Sequence, residues 1–165
     1  MINNSVPSDI LDGLLFVGNA ACAEQSGGDF DLVVNCTKNL PAPPEPGTRF
    51  LRLPVDDDPD DALELFRLLR ETDALRAIDE TLAWGGRCLV HCMAGAQRSA
   101  AVAACFLVAR RGLDADAAIA RVRARRPAAF FFGIVNFERT IRMLAGDRAT
   151  ERTRPLLSPR TTDEA

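Results

Sequence analysis

The stretch VHCMAGAQRSA, residues 90–100, holds the only histidine of the chain, His91, beside Cys92, with Gly95, Arg98 and Ser99 following at close spacing. These residue types suit transfer of a doubly charged phosphoryl group. A cysteine near the positive end of a helix is favoured as the thiolate, and cysteines in such surroundings titrate anywhere from about 3.5 to 7.5 rather than near 8.5. The short loop Met93, Ala94, Gly95, Ala96 and Gln97 can turn successive N–H groups inward as an anion nest, with Gly95 supplying an unusual torsion. Arg98 offers a planar fork for two phosphate oxygens, and the helix beginning there adds its N-terminal field. Ser99 can donate a hydrogen bond to the sulfur as it departs. A core cysteine beside an unrelated surface arginine is the bland alternative. It requires five residue types to fall at this spacing by chance, about one time in ten thousand for a chain of this size. His91 is expected to shape the loop backbone rather than to move protons.

Such chemistry needs an acid for the departing alkoxide and a base for the water that follows, and His91 sits too close to the sulfur for either. Candidates lie in PVDDDPDD, residues 54–61, where Asp56, Asp57 and Asp58 are rivals. Asp60 and Asp61 precede a helix and are read as its cap and dipole complement.

These groups must be carried by elements. LLFVG (14–18), DLVVNC (31–36), FLRLPV (50–55) and RCLVHC (87–92) are short apolar runs, partly β-branched, bounded by Gly, Pro, Asn or Asp, and read as strands. Residues 61–84 repeat Leu63, Phe66, Leu69 or Leu68, Leu75, Ile78 and Leu82 near helical spacing and read as one amphipathic crossover helix ended by Gly85 and Gly86. RSAAVAACFLVARR reads as a buried helix stopped at Gly112. Residues 114–126 read as another, capped by Asp114 and stopped by Pro127, and GIVNFERTIRML as the last. The fold class is therefore α/β, with a central, mostly parallel sheet of about four or five strands flanked by helices. The Cys92 loop then lies where such sheets bind ligands, beyond the carboxyl ends of the strands.

At 165 residues, 47% hydrophobic and 26% charged, the chain suits one domain. Residues 1–146 are expected to form it, with 147–165 as a flexible tail that includes Ser158-Pro159. Net charge is −3 and Lys38 is the sole lysine, so no nucleic-acid partner is expected. The arginines Arg121, Arg123, Arg125 and Arg126 read as a solvated helix surface. No apolar run spans a bilayer and the N-terminus lacks a signal-peptide pattern, so a cytoplasmic protein without a membrane span is expected. Cys22, Cys36, Cys88, Cys92 and Cys105 are odd in number and lack C-x-x-C spacing, which points to no disulfide framework, no metal site and no cofactor. Cys88 lies roughly 13 Å along an extended strand from Cys92, beyond disulfide reach, leaving Cys36 as the expected partner if the nucleophile oxidises.

His-Cys-x5-Arg-Ser after an apolar strand resembles the signature of cysteine-dependent protein phosphatases, most closely the compact dual-specificity group. The likeness runs from ILDGLLFVGNA through LVVNCT, FLRLPVDD and GGRCLVHC to the helical end, covering most of residues 8–145. It implies hydrolysis of phosphate monoesters on phosphotyrosine and phosphoserine/phosphothreonine of protein substrates, through a cysteinyl-phosphate on Cys92. The family pattern of apolar, any, apolar, any, Asp falls on Leu53-Pro54-Val55-Asp56-Asp57 and implies Asp57 as the acid. Asn35 stands where the family commonly has a supporting Asn near the phosphate loop. The chain departs from the pattern at Gln97, where serine is frequent, and in RRPAAFFFGIVNF, which lacks the usual Ser-Pro-Asn.

Other readings are weaker. A magnesium-dependent aspartyl-phosphate hydrolase would show Thr or Val where Asp60 stands. A rhodanese-type sulfur transferase has no use for an acid loop. A non-catalytic phospho-binding module would lack one of the groups present. Phosphoinositide or RNA 5′-phosphatases of the same superfamily stay as alternatives, but Met93 and Ala96 add no loop charge, which favours phosphoprotein.

Overall fold

The computed structural model describes residues 4–42 and 45–153. Five strands, β1 (Ser8–Leu11), β2 (Leu15–Gly18), β3 (Leu32–Asn35), β4 (Arg49–Arg52) and β5 (Cys88–His91), form one sheet in the order β1-β2-β5-β3-β4. Only β1 pairs antiparallel, through the Asp12-Gly13 hairpin with β2, and the other neighbours are parallel. The sheet is the α/β arrangement read from the sequence. β1 was not read because Asp9 interrupts its apolar run, yet the Asp9 carboxylate accepts the Gly13 N–H at 3.0 Å and closes the turn.

Register decides the rest. Gly18, Asn35 and His91 align across β2, β3 and β5, and Arg52 aligns with Asn35. All four parallel strands therefore end at one rim, and the segments that follow them converge there.

Alternation along the strands divides the core. Val17, Val34 and Val90 face the large cluster packed by the helices, whereas Val33 and Leu89 face a small one with Phe30, joined by Phe16, Phe50 and Ala23. Ala23 belongs to α1 (Ala20–Ser26), which packs on that second face. On the main face α4 (Arg98–Arg111) is buried at every residue from Ser99 to Val108, as a helix enclosed on all sides must be. Its Gly112 takes the left-handed C-cap at φ +81°, which a Cβ would disfavour. α5 (Ala115–Arg125) is capped by Asp114, whose carboxylate accepts from Ala117 N at 2.7 Å.

Two expectations change. The expected single crossover helix is two, α2 (Ala62–Glu71) and α3 (Ala74–Ala83), broken where Thr72 bonds back to Leu68 O at 2.6 Å and Asp73 turns to φ +55°. Both types favour such local bonds over helix continuation, and the restart lets Leu65 and Leu69, then Leu75 and Ile78, reach the same core. The last helix, α6, runs Glu138–Thr153, past the expected tail boundary at residue 147. Arg148 holds it there by donating to Val108 O at 2.7 Å and Gly112 O at 3.0 Å, carbonyls at the end of α4. The rest of that expected tail, with Ser158-Pro159, lies outside the described residues. Among the described residues no helix is long and apolar enough to cross a membrane.

Candidate active site

Between the end of β5 and the start of α4, residues 92–97 curl around the Cys92 sulfur. Gly95 N–H donates to Sγ at 3.3 Å and Ser99 Oγ lies 3.2 Å from it. Three loop carbonyls are claimed from outside. Ala20 N–H donates to Met93 O at 3.1 Å, Arg126 Nε to Gly95 O at 2.7 Å, and Phe130 N–H to Ala96 O at 3.0 Å. A trans peptide sets C=O and N–H on opposite sides, so drawing these carbonyls outward turns the N–H groups of Ala94, Ala96 and Gln97 inward. The result is a ring of donors around the sulfur of a cysteine that is 2% exposed, the geometry of an anion nest.

Arg126 was expected on a solvated surface and is instead 2% exposed behind the loop. Besides Gly95 O it donates to Ser8 Oγ at 3.1 Å and Asn4 O at 3.3 Å. Helical phase could not have placed it, because α5 ends at Arg125 and Arg126 is extended at φ −130°, ψ 93°. Gly95 is required for the same reason. At φ +65° its hydrogen faces Arg126 Nη2 and Gly18 O, and a Cβ there would stand 2.6 and 2.7 Å from them. Arg121 is also engaged, donating to Ile10 O at 3.2 Å.

Arg98 Nη1 donates to Val55 O at 3.2 Å, reaching from the first turn of α4 to the loop after β4. Its Nε is buried with no partner among the described residues, a donor still open to an oxyanion. The aspartates beyond Val55 have separate surroundings. Asp56 pairs with Lys38 at 2.6 Å, and Asp58 caps the turn at Pro59–Asp61 by accepting from Asp60 N at 2.8 Å. Asp61 reaches back to accept from Asp56 N at 2.7 Å. Asp58 thus caps the short turn, while Asp61 stands at the N-cap position of the helix that starts at Ala62 as expected but gives that helix no side-chain capping bond. Asp57 accepts from a side chain on the segment before the last helix, Asn136 Nδ2, at 3.0 Å.

Asn35 sits at the rim, but its side chain does not serve the Cys92 loop. Its amide donates to Leu40 O at 3.0 Å and accepts from Thr37 N and Oγ1 at 2.9 and 2.7 Å, which shapes residues 37–40 instead. Gln97 likewise turns its side chain away from Cys92, onto Ile134 and Asn136. Met93, Phe131 and Phe132 stand exposed on the segments around the loop, an apolar fringe that Ile134 extends.

His91 is buried, with Nδ1 3.4 Å from Cys92 O. Burial pushes its imidazole down to about 4, and Arg52 nearby acts in the same direction. An unfolded histidine titrates near 6.5, so the neutral ring stabilises the fold fully above about pH 6.5. That contribution is lost as pH falls toward 4, by on the order of 3 kcal/mol. His91→Gln should therefore flatten the fall in unfolding free energy between about pH 6.5 and 5, measured by urea titration. An unchanged slope would show that the carboxylates govern that window. Cys36 N donates to His91 O at 2.8 Å, and burial together with the neighbouring Cys92 raises the Cys36 thiol.

Comparison with known proteins follows the same outline. The family described as the dual specificity phosphatase catalytic domain matches residues 15–141. Dual specificity phosphatase 28 of Mus musculus is 36% identical over 140 residues, spanning 79% of this chain and 83% of that protein. The Drosophila melanogaster dual specificity protein phosphatase Mpk3 is 33% identical over 156 residues, 88% of this chain but only 37% of its own length. The crystal structure of human DUSP28 superposes with a TM-score of 0.75 at 30% identity, over 87% of this chain and 95% of that one.

Proposed function

The chain belongs to the dual-specificity phosphatase family, a group of cysteine-dependent protein phosphatases, and from that premise we propose the part each residue plays. Cys92 attacks phosphorus as the thiolate, the ester P–O bond breaks, and Asp57 gives its proton to the leaving oxygen. The phosphoryl group passes between them held by the inward N–H groups and by the Arg98 fork, whose planar shape can follow it as it flattens. Water then attacks the cysteinyl-phosphate, Asp57 takes its proton, and Ser99 donates to the sulfur as the S–P bond breaks. Inorganic phosphate leaves.

One observation carries this reading. A buried sulfur lies at the centre of a loop whose carbonyls are drawn outward, an arrangement built for an oxyanion and costly for a plain core cysteine. His91 is neutral and bonded toward the loop backbone, so it serves the loop's shape.

The substrates are phosphotyrosine and phosphoserine/phosphothreonine side chains of proteins. Met93 and Ala96 bring no charge that would draw a polyphosphorylated headgroup. Initial rates with EDTA present on phosphotyrosine and phosphothreonine peptides, a phosphoinositide and a 5′-triphosphorylated RNA test it. Both peptides should turn over faster than the lipid and the RNA, and EDTA should change nothing. A faster phosphoinositide or RNA would overturn the substrate class, and loss of activity in EDTA would overturn the mechanism.

A further inference from the structure

We infer that the second face of the sheet carries a ligand site behind the Cys92 loop, a cleft that takes a small neutral aryl alcohol with its hydroxyl on His91 Nε2.

Strand alternation points His91 there. Val90 faces the large cluster and Leu89 the small one, so the next side chain of β5 turns to the side of Leu89, away from α4. On that side a cleft of about 340 Å³ opens, at the lower end of the roughly 300 to 1,000 Å³ of small-molecule sites. Ala20 and Ala23 of α1 form one wall, Leu40, Pro41 and Ala42 the other, and His91 lies between them. The second wall is fastened from below. Arg52 donates to Thr37 O at 2.8 Å and to Leu40 O at 2.7 Å, and the Asn35 amide donates to the same Leu40 O at 3.0 Å. Asn35, which gives nothing to the Cys92 loop, thus holds the wall of this cleft.

The ring sets the chemistry of the ligand. His91 is 1% exposed, and its Nδ1 lies 3.4 Å from Cys92 O, a carbonyl that can only accept, so the ring hydrogen is on Nδ1. Nε2 is then an acceptor, and it is buried with no partner among the described residues. A ligand that donates to it gains what an apolar one of the same shape does not. Burial brings the titration of the ring down to about 4, so that lone pair is available at neutral pH. A phenolic hydroxyl donates more strongly than an alkyl one, and its ring suits walls of alanine, leucine and proline. Glu24 also borders the cleft, from an exposed position on α1, and its carboxylate opposes an anion there. Phosphate esters therefore belong to the Cys92 loop and neutral molecules to the cleft.

The probe is 4-ethylphenol, with 4-ethylanisole as nearly the same shape without the donor. Because His91 is the single histidine, ¹⁵N labelling of histidine in the full chain reports on this ring alone. Near neutral pH, 4-ethylphenol should move the Nε2 resonance upfield along a saturable curve and the Nδ1 resonance far less, the signature of a hydrogen bond accepted rather than a proton gained. 4-Ethylanisole should bind at least about fivefold more weakly. Saturating vanadate, which occupies the Cys92 loop, should leave the affinity for 4-ethylphenol within about twofold. Ala23→Leu fills the cleft from α1 and should weaken 4-ethylphenol at least about tenfold, with kcat/KM on 4-nitrophenyl phosphate kept within about twofold. Ala42→Leu, on the exposed opposite wall, should weaken it at least about threefold and serves if Ala23→Leu does not fold. An Nε2 resonance that stays still up to the solubility of 4-ethylphenol overturns the proposal, as does equal affinity for the two probes. Displacement by vanadate would put the phenol at the Cys92 loop, and full affinity in a folded Ala23→Leu or Ala42→Leu would put it elsewhere on the surface. Either result overturns the site.

Discussion

Cys92→Ser abolishes turnover while leaving a folded protein that still binds phosphate esters. The hydroxyl occupies nearly the volume of the thiol and can accept the same Gly95 N–H and face the same Ser99 hydroxyl. The loop is held from outside, by Ala20, Phe130 and Arg126, so its shape does not depend on the sulfur. What changes is nucleophilicity, because a serine hydroxyl stays protonated near neutral pH and no histidine stands ready to take its proton. Turnover should fall by more than about a hundredfold, with thermal stability and vanadate binding retained. Residual turnover above about one part in a hundred of wild type would sink the cysteine mechanism.

Asp57→Ala is expected to show its effect selectively. For alkyl and phenyl esters kcat should drop by about a hundredfold or more, because the alkoxide must leave without a proton, and for a nitrophenolate it should drop much less. Parallel substitutions at the neighbours make the result decisive. Asp56 is engaged with Lys38 and Asp58 with Asp60 N, so Asp56→Ala and Asp58→Ala should lower both substrates alike. The assignment is wrong if either neighbour carries the leaving-group dependence and Asp57 does not.

How far the sequence discloses this molecule depends on the distance over which each feature is determined. The strand, loop and helix of residues 87–112 could be read because their determinants are local: a continuous apolar run, a glycine at the turn and a glycine C-cap. The break at Thr72 and Asp73 could not be read, since hydrophobic spacing continues across it and only backbone hydrogen bonding reveals the restart. The docked start of the expected tail was hidden for another reason. Residues 147–153 offer little to bury, and they are held by Arg148 filling carbonyls of another helix. In the site, the contiguous cluster His91 to Ser99 is visible in one dimension. The environments of Gln97, Arg126 and Asn136 depend on partners 31 to 39 or more positions away, and nothing in their own neighbourhoods announces them. Asn35 illustrates the converse, a residue placed correctly at the rim whose side chain is spent on its own turn.

The buried guanidinium of Arg126 also sets an order of events. It fastens Gly95 to Asn4, Val6 and Ser8, residues 118 to 122 positions earlier in the chain. The segment before β1 thus has to wait for the residue that follows α5 before its carbonyls find their donor. Closing so long a loop costs on the order of 4 kcal/mol of chain entropy, against which a few hydrogen bonds alone have little margin, so the lock can form only after the sheet has already brought the two ends together. Catalytic competence therefore arrives as a final stage of folding. A nascent or truncated chain that ends before Arg126 can contain every residue of the Cys92 loop and still lack the clasp that holds it open for phosphate.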